Sequence, residues 1–386
     1  MLSVEAGSER RPEEVGVSSA RLARALATLD AWVERGQLAG VAAVAVRRGV
    51  VVARQFRGRA SPDAEHGEPV PIGPETIFPL GSVTKPITAT AFMLLVEAGE
   101  VILDDPVVRF VPEFGRLGKE QVRVRHLLCH TSGLPDMLPN NEALRKSHSS
   151  LRDFVRSACR QELAFTPGTR VAYSSTGFLM LAEVAERILG QAFADFAAER
   201  VFRTLGLESM SLCPPEDHYR RIARLRLPDG RAPTDWDHNS PYWRQLGAPW
   251  GGGFATADDL ARFGQAFLGA WRSAGVTRLG GSGTVVSPAT ARLMVQNHTG
   301  GIRGVSGPPE AWGLGWALPV GHPDRWAGDL ASTETFGHLG ASRTMLWIDP
   351  VRELVCVVLT NQVANVPTPY RRFARFSNAL QAALVG

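Results

Sequence analysis

The sequence predicts an α/β protein in which a sheet layer drawn from both chain ends flanks a mainly helical middle. Three observations carry this. Strand-like apolar runs fall near the two ends, at residues 41–46 and 50–56 on one side and at 312–319, 342–348 and 353–360 on the other. From about residue 122 to 268 apolar residues recur at helical spacing, broken by Pro/Gly loops. Each end also carries a helical pattern, over residues 18–35 and 368–384.

Taken in order, residues 1–17 are polar and mixed in charge and form a separate N-terminal segment. The helix over 18–35 starts at Ser18-Ser19, and Gly36 and Gly40 close it. The runs 41–46 and 50–56 are joined at Arg48-Gly49 as a hairpin. Residues 86–97 are apolar nearly all round and end at Gly99, the pattern of a helix buried inside the protein. Near the C-terminus, Asp349-Pro350 makes a turn between the last two strands. With no linker, repeat or low-complexity tract, residues 18–386 read as one domain, its sheet layer at about 18–80 and 300–386 and its helical region at about 81–299.

Composition excludes several classes. The 386 residues are 44% hydrophobic and 21% charged, ordinary for a globular protein. A net charge of +4 is too small and dispersed to serve nucleic acid, and no apolar run approaches the ~18 residues of a membrane span. The first 17 residues lack the apolar core of an export signal, so a cytoplasmic location is expected. Cys129, Cys159, Cys213 and Cys356 are scattered and read as reduced thiols.

The basic residues are 39 arginines and three lysines, Lys85, Lys119 and Lys146. A lysine can lose its proton where charge is disfavoured, whereas an arginine cannot. Lys119 and Lys146 lie in polar surroundings and read as surface charges. Lys85 stands three residues after Ser82, at the opening of the buried helix, so both side chains point the same way. Were Ser82 simply an N-cap, position 85 would favour Glu or Gln. A cation there opposes the helix dipole, and that field together with burial lowers the amine pKa. A neutral amine beside a hydroxyl is a general base beside a nucleophile.

Two further segments stand out. Pro167 to Ser175 is a turn leading into a helix, with Tyr173 at the junction, where a phenol can share a proton with an amine or hydroxyl. Phe336-Gly337-His338-Leu339-Gly340-Ala341 opens a strand, and its two glycines allow close approach to the backbone. A carbonyl along that edge could receive the N–H of Ala341 and that of Ser82, an oxyanion hole.

In this order, Ser82-x-x-Lys85, Tyr173-Ser174-Ser175 and His338-Leu339-Gly340 resemble the three motifs of the serine β-lactamase and penicillin-binding-protein superfamily. The branch most similar is the class C-like one that includes the family VIII carboxylesterases. His130-Thr131-Ser132-Gly133-Leu134-Pro135, and Trp250 followed by three glycines, also resemble it. The resemblance implies a β-lactamase-like fold, an antiparallel sheet flanked by helices. It also implies an acyl-enzyme on Ser82, activated by Lys85 and Tyr173, with Ser82 and Ala341 as oxyanion donors. Ser175, His338, Gly340 and Trp250 are the candidate substrate contacts.

Two departures set the substrate expectation. Ser175 replaces the usual asparagine, and His338 replaces a lysine that helps hold a substrate carboxylate in β-lactamases and D-alanine peptidases. Histidine carries little fixed charge at neutral pH, which suits uncharged, short-chain esters. Acyl transfer through the same intermediate, a β-lactamase or D-amino-acid peptidase, and a catalytically silent binding protein are the alternatives. No nucleotide motif, no G-x-S-x-G elbow and no metal set is present, so no cofactor or metal is expected. His126 and His130 have zinc-compatible spacing but no third ligand, and read as hydrogen-bonded residues at a helix end. The expected partner is a small ester or acyl substrate, with oligomeric state open.

Overall fold

Along residues 41–46 small and branched side chains alternate between two buried faces. Val41, Ala43 and Ala45 enter one core, and Ala42, Val44 and Val46 enter the other. In the computed structural model, which describes residues 11–61, 70–227, 232–273, 284–305, 310–319, 326–363 and 371–386, this run is strand β1 (Gly40–Arg47). It pairs with β2 (Val50–Gly58) through the hairpin read from Arg48-Gly49.

The other strands of its sheet come from the far end of the chain: β3 (Ala311–Trp312), β4 (Ala317–Leu318), β5 (Phe336–Gly340), β6 (Thr344–Asp349) and β7 (Leu354–Thr360). They join in one seven-stranded sheet of order β2-β1-β7-β6-β5-β4-β3. Every pairing within it is antiparallel. The register Val44–Val357 and Leu346–Val357 aligns the buried faces of the three central strands. Both faces of the sheet are covered, which explains near-continuous apolar runs in an antiparallel sheet.

On the outer face, helix α1 (Ser19–Glu34) and the final helix α6 (Arg371–Gln381) pack together, with Trp32 and Phe373 ring centroids 6.4 Å apart. On the inner face, α5 (Ala257–Arg272) lies against the sheet, where a β-carbon on Gly264 would stand 2.7 Å from Val355 Cγ1. Beyond it are α2 (Thr84–Glu97), α3 (Val124–Leu128) and α4 (Ser175–Leu189). Helix α2 is buried without interruption from Thr84 to Met93, as its all-round apolar sequence requires.

Several expectations change. The segment 312–319 is two short strands, because Gly313 to Gly315 turns the chain where a β-carbon on Gly315 would collide with Ala89. The N-terminal segment joins the fold from Pro12 onward. A 3-10 turn (Pro12–Val15) buries Val15, and Val17 bridges to Leu384. Part of the expected closing helix, residues 368–370, lies outside the described residues. Lys119 is not a surface charge: it is fully buried, and its Nζ donates to the Gln161 carbonyl at 2.6 Å beside the Phe114 ring. Burial lowers its pKa. A polar sequence neighbourhood hid a fold-back of the lysine stem against an aromatic ring. Lys146 is exposed as expected and pairs with Glu142.

The sheet meets α2 at the end of β5. Ser342 Oγ donates to the Pro79 carbonyl at 2.8 Å and Thr344 Oγ1 to the Leu80 carbonyl at 2.6 Å. Gly340 makes this contact possible, since a β-carbon there would collide with both Leu80 O and Thr344 Oγ1. Gly340→Ala is therefore expected to lower stability by about 1–3 kcal/mol, read by chemical denaturation.

Candidate active site

A turn over Gly81–Val83 leads into α2, and no side chain caps that helix. Ser82, half-buried at this turn, is thus not spent on capping. Lys85 lies one turn further on, fully buried beneath it. The Lys85 Nζ has three oxygen neighbours: Ser82 Oγ at 3.3 Å, Ser175 Oγ at 3.2 Å and the Trp250 carbonyl at 2.9 Å. It also stands 4.5 Å from the centroid of the Tyr173 ring. Burial pushes its pKa down from 10.5 to about 7, while the nearby Asp136 carboxylate holds it up.

Each partner is delivered by its own element. Ser174 is the N-cap of α4, accepting the Gly177 N–H at 3.0 Å, which leaves Ser175 on the first turn to reach the lysine. The loop after α3 secures this segment. The Pro135 carbonyl accepts from Ser174 Oγ, and Asp136 accepts the Ser175 and Thr176 N–H groups. The Trp250 carbonyl arrives on the glycine-rich run 251–253, where a β-carbon on Gly253 would stand 2.7 Å from Thr84 Oγ1. Gly253 N–H donates to that same hydroxyl at 2.9 Å.

Above this cluster opens a cavity of about 530 Å³. Ser82, Tyr173, Ser175, Trp250, His338 and Ala341 all line it. The backbone N of Ala341 lies against Gly81, 3.0 Å from where a β-carbon of that glycine would be. His338 is almost fully buried, its Nδ1–H donating to the Leu339 carbonyl at 2.7 Å. Gly340 is not in the wall: the room left by its missing side chain is taken by Leu80 and Thr344 of the protein itself.

The sequence reading did not single out Asp136, whose signal would have been an acidic residue after the Gly-Leu-Pro turn. Nor did it nominate Trp243, Trp312 and Trp326, which join Trp250 in the wall. Trp316 instead packs in the core against Phe267 and Phe336. His126 and His130 each accept a backbone N–H through Nδ1, from Arg123 and Ser174. Ser132 Oγ accepts the Leu134 N–H within a turn. Among the described residues no His/Cys/Asp/Glu group could hold a metal, and no helix is long and apolar enough to cross a membrane.

Known proteins are similar to this chain over much of its length. The family profile described as "Beta-lactamase" matches residues 22–380. Penicillin-binding protein 4 of Amycolatopsis lactamdurans is 32% identical over 311 residues, covering 78% of this chain and 76% of its own. Esterase EstB of Burkholderia gladioli is 32% identical over 284 residues, covering 65% and 71%. The crystal structure of a family VIII carboxylesterase superposes with a TM-score of 0.77 at 22% identity, over 96% of this chain and 99% of that one, a likeness of fold. Sequence and architecture agree, and the chain belongs to the beta-lactamase family of hydrolases.

Proposed function

We propose that the protein is a serine carboxylesterase that forms an acyl-enzyme on Ser82. The observation that carries this is a fully buried lysine amine, its pKa lowered to about 7, within 3.3 Å of a half-buried serine hydroxyl at the floor of a cavity. In its neutral form the amine keeps two N–H donors, for Ser175 Oγ and the Trp250 carbonyl, and turns its lone pair to Ser82 O–H. As Ser82 Oγ bonds to the ester carbonyl carbon, its proton passes to Lys85 and the carbonyl electron pair becomes an oxyanion. The N–H groups of Ser82 and Ala341 hold that oxyanion. Collapse breaks the bond to the alcohol oxygen, which takes a proton from the Lys85–Tyr173 pair. Water then repeats the sequence to release the acid.

The cavity wall supports an ester substrate. Trp243, Trp250, Trp312 and Trp326 offer apolar surface, Arg145, the one arginine in the wall among the described residues, donates to the Trp236 carbonyl, and the position where relatives of the superfamily place a lysine holds His338 instead. This favours uncharged acyl and alcohol groups over carboxylate-bearing β-lactams or D-alanyl peptides. EstB, an esterase by name, and the fold of the family VIII carboxylesterase support the same reading.

The test is incubation with p-nitrophenyl acetate, p-nitrophenyl butyrate and nitrocefin, with mass spectrometry of the protein. Turnover of the esters with an acyl adduct on Ser82 is expected; no ester turnover and no adduct would overturn the proposal. Ser82→Ala should reduce turnover to background. Lys85→Arg should lower kcat by about 10²–10⁴-fold, because a guanidinium cannot accept the proton. Since Lys85 acts as the free amine, kcat/KM should rise with pH through about 7 and level off above it. A limb centred near 4 would instead point to a carboxylate base.

A further inference from the structure

The mechanism does not use His130, yet its imidazole packs against the Tyr173 ring. His130 follows the C-cap of α3 and has φ +61°, with the Thr131 N–H returning to the His126 carbonyl at 2.9 Å to close the helix end. Glycine or asparagine suits that left-handed position, because a larger residue strains its β-carbon there. What the histidine supplies in exchange is its ring and its carbonyl. The His130 carbonyl accepts the Ala172 N–H at 2.9 Å, and its Nδ1 accepts the Ser174 N–H at 3.0 Å. These bonds grip the backbone on both sides of Tyr173. The imidazole also lies against the phenol ring, centroids 4.6 Å apart, with the Trp312 ring edge-on at 4.3 Å.

The ring is fully buried, and burial, with Lys85 nearby, holds it neutral. With Nδ1 accepting, the proton is on Nε2, which meets no hydrogen-bond partner among the described residues. Nδ1 is taken up by the Ser174 amide, which passes no proton on, so the ring is not a relay. We infer that His130 is a positioning residue: by bonding the Ala172 and Ser174 amides it holds the Tyr173 phenol in place over the Lys85 amine. This rests on the proposed role of Tyr173 in serving Ser82.

The experiment compares wild type, His130→Phe, His130→Asn and Tyr173→Phe for kcat and KM on p-nitrophenyl butyrate. Phe keeps a ring against Tyr173 and Trp312 but has no acceptor, while Asn tolerates the left-handed backbone and offers Oδ1 near the place of Nδ1. His130→Phe should lower kcat by about 10–100-fold with KM nearly unchanged, and His130→Asn should recover most of the loss. The inference is overturned if His130→Phe keeps wild-type kcat while Tyr173→Phe does not, or if His130→Asn falls as far as His130→Phe. Wild-type kcat in Tyr173→Phe would instead overturn the proposed role of the phenol. Ring ¹⁵N chemical shifts of wild-type His130 add a test independent of how the variants fold. The tautomer protonated on Nε2 supports the inference, and one protonated on Nδ1 contradicts it.

Discussion

A lysine amine with no access to water is the constraint on which the rest of the site depends. Moving an ammonium out of water is strongly unfavourable, so the protein must either pair the charge or let the proton go. Around Lys85 it does little pairing. The amine meets two hydroxyls and one carbonyl, and the Asp136 carboxylate only moderates the effect of burial. The proton is therefore loosely held near neutrality, which suits the group to the role proposed for it beside Ser82. The same burial keeps other acids and water from competing for its lone pair.

Holding that amine in place engages the whole fold. Helix α2 runs through the inner core, so its first turn cannot shift without disturbing a continuous stretch of packed side chains. The turn from β5 into β6 is clasped to the residues before Ser82 by Ser342 and Thr344, which brings the Ala341 amide beside the serine turn. Opposite, the loop from His130 to Asp136 accepts the Ser174 and Ser175 amides and the Ser174 hydroxyl, and the Trp250 carbonyl closes the remaining side. Sheet, buried helix and two loops thus each contribute one wall to the same few atoms, which keeps the groups of the proposed site aligned.

Much of this was legible in the sequence because period and spacing survive in a linear chain. The hairpin at Arg48-Gly49, the buried helix after Ser82 and the strands on either side of Asp349-Pro350 could all be read that way. The Ser82–Lys85 spacing and the rarity of lysine located the cluster. What could not be read depended on contacts between distant segments. Lys119 looked like a surface charge because its burial comes from Phe114 and Gln161. Gly340 looked like a place for substrate, whereas Leu80, some 260 residues earlier, fills it. Asp136 and the bonding partner of His130 show only once α4 is docked against their turn.

The central claim is that Lys85 is a free amine for about half the molecules at neutral pH, and the scarcity of lysine makes this directly measurable. Uniform ¹³Cε-lysine labelling yields three signals, and loss of one in Lys85→Arg assigns it. The account predicts that this signal titrates at about 7, far below the ordinary 10.5 of lysine. A Lys85 signal that stays protonated until pH 10 would contradict it.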